Sequence, residues 1–114
     1  METRKKFFME CHLAGRMYHE ADEVWEKLKV GTELRMERDL ENRYDQDAVA
    51  VMYDDKKAKE AYCIGYIPKE KNETIASLLE MGWTNLFECR INRINADTHP
   101  ENQIHLTIKI KKNK

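Results

Sequence analysis

The stretch ENRYDQDAVAV, residues 41–51, places a polar cluster directly before small and β-branched residues. The run at residues 48–53 is typical of a strand. Asn and Asp are favoured in turns because their side chains bond to the nearby backbone. The pattern therefore predicts a structured loop at the start of a strand, and both a solvated turn and a recognition loop remain open.

Alternating apolar and polar residues predict further strands on either side of this stretch. These strands cover residues 5–13, 33–38, 61–67, 86–94 and 103–111. On the first strand, one face is expected to point into the core, formed by Phe7, Met9, Cys11 and Leu13. Gly65 interrupts the fourth strand and predicts a bulge or a close backbone approach.

Two segments have helical rather than strand spacing. Between residues 18 and 29 the apolar side chains recur every three or four positions, with acidic residues at the start and lysines at the end. Pro68 opens a second helix, since proline needs no amide donor at a first helical position, and Gly82 ends it.

The resulting order is β-α-β-β-β-α-β-β within one domain, residues 1–114. A mostly β chain with two helices and many short strands favours a small antiparallel β-barrel, although two packed layers remain open. The basic tail, residues 109–114, overlaps the last strand, and disorder there also remains open.

Composition excludes several classes of function. The net charge is −1, so nucleic-acid binding through bulk charge is not indicated. Cys11, Cys63 and Cys89 form no CxxC pair and are typical of reduced thiols in a cytoplasmic protein; Cys63 is expected in the core. No apolar stretch approaches membrane-spanning length, so no membrane contact is expected.

No catalytic or cofactor motif is present. The four histidines have no recognisable nucleophile partner, and the glycines form no phosphate-binding loop. Asp45 and Asp47 offer oxygen ligands for a metal, but their spacing does not fit an EF-hand and a turn-forming role is favoured. We therefore expect neither an enzyme nor a bound metal or cofactor.

Aromatic and charged residues collect where the predicted strands end: Arg16, Tyr18, Tyr44, Asp45, Tyr66 and Lys69. Aromatic rings stack on unpaired bases, and Arg and Lys bind phosphates. Taken singly, each residue also has an ordinary structural role; their joint placement is what favours a nucleic-acid site.

Three blocks of the chain resemble the HIRAN domain: LAGRMY from Leu13, ENRYDQDAVAV from Glu41 and IGYIPKE from Ile64. The resemblance implies an OB-like barrel that binds single-stranded DNA and captures a free 3′-hydroxyl end. It implies that Tyr44 and Asp45 grip the terminal nucleotide and that Asn42 lines the same pocket. The same resemblance implies that Arg16, Tyr66 and Lys69 hold the phosphates or flank them.

Several positions depart from the family's pattern. Leu40, Arg43 and Gln46 stand where prolines are common, and Asp47 stands at a common asparagine. Met17 stands where the DNA-binding member of the family has a stacking aromatic residue, and Tyr66 stands where that member has a histidine.

The resemblance implies a non-catalytic module acting in DNA repair or replication, with DNA 3′ ends and a helicase or nuclease as partners. A protein-interaction module on the same barrel is the alternative. A basic groove beside Tyr44 would favour DNA, and a neutral apolar patch would favour a protein partner.

Overall fold

The computed structural model describes residues 4–16 and 19–112. Its main element is one antiparallel sheet of six strands in the order β1-β6-β5-β2-β3-β4. The strands are β1 Lys5–His12, β2 Glu33–Arg38, β3 Val49–Asp55, β4 Glu60–Tyr66, β5 Phe87–Ile94 and β6 Ile104–Lys111. The predicted antiparallel β architecture and the order of the elements are confirmed.

The sheet is not closed into a barrel, so the predicted barrel is wrong in this respect. Its edge strands are β1 and β4, and they meet through an isolated bridge between Ala14 and Tyr66. Each of these two residues donates its N–H to the carbonyl of the other at 2.8 Å. The bridge therefore brings the end of β1 beside the end of β4 without a continuous ladder.

The first predicted helix is a 3₁₀ helix, Glu20–Lys27, that packs beside β4. Ala21 and Val24 are buried, and their three-residue spacing places them on one side of a helix with three residues per turn. Glu20 Oε1 accepts the Cys63 N–H at 3.0 Å, which covers part of the outer edge of β4.

The second predicted helix is shorter than expected and is divided in two. Pro68 precedes a 3₁₀ turn, Lys69–Lys71, and the α-helix α1 covers Glu73–Glu80. Helix α1 buries Ile75, Ala76 and Leu79 against the sheet. No helix in the described part of the chain has the length and apolar character needed to cross a membrane.

Two β-bulges change which side chains face the core. The β1–β6 register shifts between Phe7 and Met9, so Phe7 is 62% exposed and Phe8 packs against Phe87 instead. The predicted inward face is therefore wrong at Phe7. A similar shift in β3–β4 leaves Cys63 half-buried and buries Ile64, so Cys63 is not a core residue.

Gly65 has the close backbone approach expected of it. A Cβ atom at this position would lie 2.7 Å from the Ala14 carbonyl oxygen and 2.7 Å from Leu13 Cγ. Of the predicted basic tail, Lys109–Lys111 pair with β1 as the end of β6, and residues 113–114 lie outside the described residues.

Candidate nucleic-acid interface

The loop between β2 and β3, residues 39–47, has a defined conformation in which Asn42 closes a turn. Asn42 Oδ1 accepts the N–H of Tyr44 at 2.8 Å and the N–H of Asp45 at 3.0 Å. These are the local side-chain bonds for which Asn is favoured in turns. The loop thus obtains from hydrogen bonds the order that the absent prolines would have supplied.

Asp45 is held in place by contacts on both of its carboxylate oxygens. Oδ1 accepts the Asp47 N–H at 2.9 Å, and Oδ2 accepts the Asn72 Nδ2–H at 2.7 Å. Asn72 lies between the 3₁₀ turn and α1 and is 1% exposed. A carboxylate oxygen can accept more than one hydrogen bond, so Asp45 retains capacity toward a ligand hydroxyl.

The base of the loop is anchored from two sides. Arg38 donates to the carbonyls of Gln46 and Ala48, both at 2.8 Å, and its guanidinium also bonds Glu80 of α1 at 2.9 Å. On the other side, the Tyr66 hydroxyl donates to Asp39 Oδ2 at 2.5 Å.

Tyr66 therefore supports the loop from behind. Burial, together with the hydrogen bond to Asp39, raises the pKa of the Tyr66 phenol well above its ordinary value. Because the phenol keeps its proton, the donated bond persists into alkaline solution. The ring also packs against His19, with ring centroids 5.0 Å apart.

Tyr44 contributes an open aromatic face. Its side chain is 91% exposed, whereas large aromatic residues are usually at least partly buried. The ring belongs to a groove that the loop forms with the segment 69–73. We call it the acidic groove; it is lined by Asn42, Arg43, Tyr44, Asp45, Gln46, Asp47, Lys69, Glu70, Asn72 and Glu73.

The charge of this groove is neither of the two alternatives expected from the sequence. Its lining has two basic side chains, Arg43 and Lys69, against four acidic ones, which are Asp45, Asp47, Glu70 and Glu73. Such a lining disfavours a phosphate and favours a neutral or donating group. The groove is therefore suited to a group that donates a hydrogen bond more than to a phosphate.

Arg16 does not join the acidic groove. It is 8% exposed, its guanidinium lies 4.3 Å from the centre of the Trp25 ring, and Nη2 bonds Asp22 at 2.7 Å. A planar guanidinium stacks well on an aromatic face, so its contacts here are with the protein. A second groove, which includes Gln103 from the β5–β6 connection, passes beside Arg16 and Trp25.

The predicted site residues thus fall into three groups. Asn42, Tyr44, Asp45 and Lys69 share the acidic groove. Tyr66 supports it through Asp39, and Arg16 lies at a separate groove. Met17 and Tyr18 lie outside the described residues.

Sequence reasoning missed two positioning residues, Asp39 and Asn72. Asn72 had a usable signal, because an Asn at the start of a helix is typical of an N-cap. Here its side chain donates to Asp45 and makes no capping hydrogen bond to the helix backbone. Asp39 had none, since its partner Tyr66 is distant in the sequence. Asp45 and Asp47 belong to no cluster of three metal-ligating side chains within the described ranges.

Comparisons with known proteins agree with this architecture. The family model described as HIRAN domain matches residues 6–112. A crystal structure of a protein from Lactobacillus plantarum is similar with a TM-score of 0.75 at 18% identity, covering 98% of this chain and 100% of that one. The crystal structure of the HIRAN domain of human HLTF is similar with a TM-score of 0.65 at 16% identity, covering 96% and 81%. No significant match was found among curated protein sequences.

Proposed function

The chain belongs to the HIRAN domain family, and from this premise we propose that it is a non-catalytic module that binds single-stranded DNA at a free 3′-hydroxyl end. The family is known for DNA binding, which supports the nucleic-acid part of the proposal. A role in DNA repair or replication, in the cytoplasm, belongs to the same proposal, as does a helicase or nuclease as partner.

The observation that carries the proposal is that Tyr44 and Asp45 line the same groove. The Tyr44 ring offers an exposed stacking face, and base stacking on an aromatic ring contributes about 1–3 kcal/mol. The neighbouring Asp45 carboxylate is fixed by Asn72 and the Asp47 amide, so it can accept a hydrogen bond from a terminal hydroxyl without reorganising.

The acidic lining supplies the reason for preferring an end. An internal nucleotide brings a phosphate on both sides, and the carboxylates of the groove repel it. A terminal 3′-hydroxyl is neutral and donates a hydrogen bond. We therefore expect selection for an unblocked end.

Fluorescence anisotropy with oligonucleotides of one sequence tests the proposal. One carries a 3′-hydroxyl, one lacks that hydroxyl, and one carries a 3′-phosphate. We expect at least tenfold tighter binding of the hydroxyl end, lost in Asp45→Asn and retained in Asp47→Asn, which removes the same charge from the same loop. Equal binding of all three ends by the unmodified protein would overturn end recognition.

The alternative is a protein-interaction module, and two exposed apolar side chains favour it. Leu40 is 74% exposed, and the exposed Tyr44 ring belongs to the same loop. Stable capture of a protein partner that Leu40→Ser abolishes, together with no DNA binding at about 50 mM salt, would establish this function instead.

A further inference from the structure

The acidic groove offers the phosphates of a DNA ligand two basic side chains against four carboxylates, whereas β1 and β6 concentrate positive charge at one edge of the sheet. Basic side chains collect where β1 begins and β6 ends. They are Arg4, Lys5, Lys6, Lys109, Lys111 and Lys112; strand alternation places Lys5, Lys109 and Lys111 on one face, and we call these three the basic surface. Within residues 4–12 and 104–112 the acidic residue is Glu10, toward the far end of β1.

The pairing at this end is not what stability alone favours. Lys5 lies directly opposite Lys111 in the register of β1 and β6, and like charges in such a pair are destabilising. Lys5 is partly compensated by Glu88, at 2.5 Å. Among the described residues, the side chains of Arg4, Lys6, Lys109 and Lys112 form neither an ion pair nor a hydrogen bond.

An exposed aromatic ring lies among these basic side chains. Phe7 is 62% exposed and pairs with Lys109 across the strands. Alternation along the strands places Phe7 on the same face as Lys5, Lys109 and Lys111. Cations around an exposed aromatic ring are the combination that single-stranded nucleic acids bind, through phosphates and through base stacking.

We propose that the basic surface is a second nucleic-acid contact, which binds the phosphate backbone of single-stranded DNA at a distance from the acidic groove. In the sheet, β1 is three strands away from β2, the strand that leads into the 39–47 loop, which is roughly 14 Å at about 4.8 Å between neighbouring strands. The two contacts are thus more than a Debye length of about 10 Å apart at 0.1 M salt, so they act as separate sites.

The salt dependence of binding tests the proposal. The variant is Lys5→Gln, Lys109→Gln, Lys111→Gln, and its matched control is Lys29→Gln, Lys56→Gln, Lys57→Gln, which removes the same charge from exposed positions elsewhere. Affinity for a 20-nucleotide strand is measured between about 50 and 300 mM NaCl. Each phosphate contact contributes a slope of about −0.7 in log K against log salt for single strands, so we expect the variant to lose about 2 from that slope and the control to lose none.

Two further arms separate this inference from the proposed function. A trinucleotide with a free 3′-hydroxyl reaches only the acidic groove, so its affinity is expected to be unchanged in the variant. Lost slope with no end preference in the unmodified protein overturns the end-binding proposal and supports this one. Equal slopes for variant and control, or displacement of DNA by polyglutamate at equal charge concentration, overturn the assignment of a nucleic-acid backbone to this surface.

Discussion

The Tyr66 hydroxyl donates a 2.5 Å hydrogen bond to Asp39 Oδ2, and this bond joins the last residue of β4 to the beginning of the 39–47 loop. The only other described contact of that carboxylate is the Asn42 amide at 3.5 Å. The position of the loop thus depends on a residue that does not line the groove.

Tyr66→Phe is expected to lower the free energy of unfolding by about 2 kcal/mol, because it removes a hydrogen bond to a charged group. Urea denaturation measures this. The matched control is Tyr62→Phe, whose hydroxyl bonds an exposed Glu60. Because the pKa of Tyr66 is raised in the folded state, its contribution is complete below about pH 10 and declines at higher pH. Equal losses in the two variants would contradict this role of Tyr66.

Asn72→Asp is expected to weaken binding of the DNA end at least tenfold at pH 7.5. The substitution places a second carboxylate against Asp45, where the Asn72 amide now donates at 2.7 Å. Two carboxyl groups this close share a proton once the pH falls, so binding is expected to recover toward pH 5. Asn72→Ala, which offers no proton to share, serves as the control and is expected to bind weakly at both pH values. A pH-independent loss in Asn72→Asp would show that Asn72 acts through packing alone.

Gly65→Ala is expected to lower the free energy of unfolding by about 2 kcal/mol, since its methyl group would lie 2.7 Å from the Ala14 carbonyl oxygen. The Ala14–Tyr66 bridge should open, and DNA-end affinity should fall with it. Gly82→Ala is the control for backbone strain without a steric contact, because Gly82 has a φ of 97° and no atom lies within 4 Å of the new methyl group. This variant is expected to lower the free energy of unfolding by about 1 kcal/mol and to leave binding intact. Unchanged DNA binding in Gly65→Ala would separate the bridge from the site.

Glu88→Gln is expected to destabilise the fold by about 1 kcal/mol at pH 7, because the buried carboxylate accepts from Lys5 and Arg90. Burial opposes ionisation, but the two hydrogen bonds lower the pKa of Glu88 below its ordinary value. Its contribution is therefore present above about pH 4.5 and is lost as the pH falls further. Thermal unfolding between pH 3 and 7 should show that the gap in stability between Glu88→Gln and the unmodified protein becomes smaller in acid. A pH-independent gap would contradict this, and Glu37→Gln, at an exposed ion pair, should show almost no gap.

Strand positions could be predicted from sequence because alternation along each strand is a local property. The second strand, residues 33–38, was predicted with the bounds that the structure has. The packing of Phe8 rather than Phe7 against the core, and the burial of Ile64 rather than Cys63, could not be predicted, because a bulge depends on the partner strand.

The candidate site was predictable to the same limited extent. The turn at Asn42 and Asp45 could be predicted from adjacent residues, and in the structure both side chains accept hydrogen bonds from nearby backbone N–H groups. The burial of Arg16 against Trp25 was not evident, since a charged residue after a strand is ordinarily solvated. The open sheet was missed because closure depends on twist and on how far the edge strands overlap.

The Ala14–Tyr66 bridge has a further consequence, for the folding reaction. Its two residues are far apart in the chain and lie at the ends of the two opposite edge strands of the sheet, so their contact is non-local and is slow to form. The hairpins β3–β4 and β5–β6 are local and can assemble early. The groove that Tyr66 supports is then completed only when the last edges meet, so that a partly folded chain has no competent binding site.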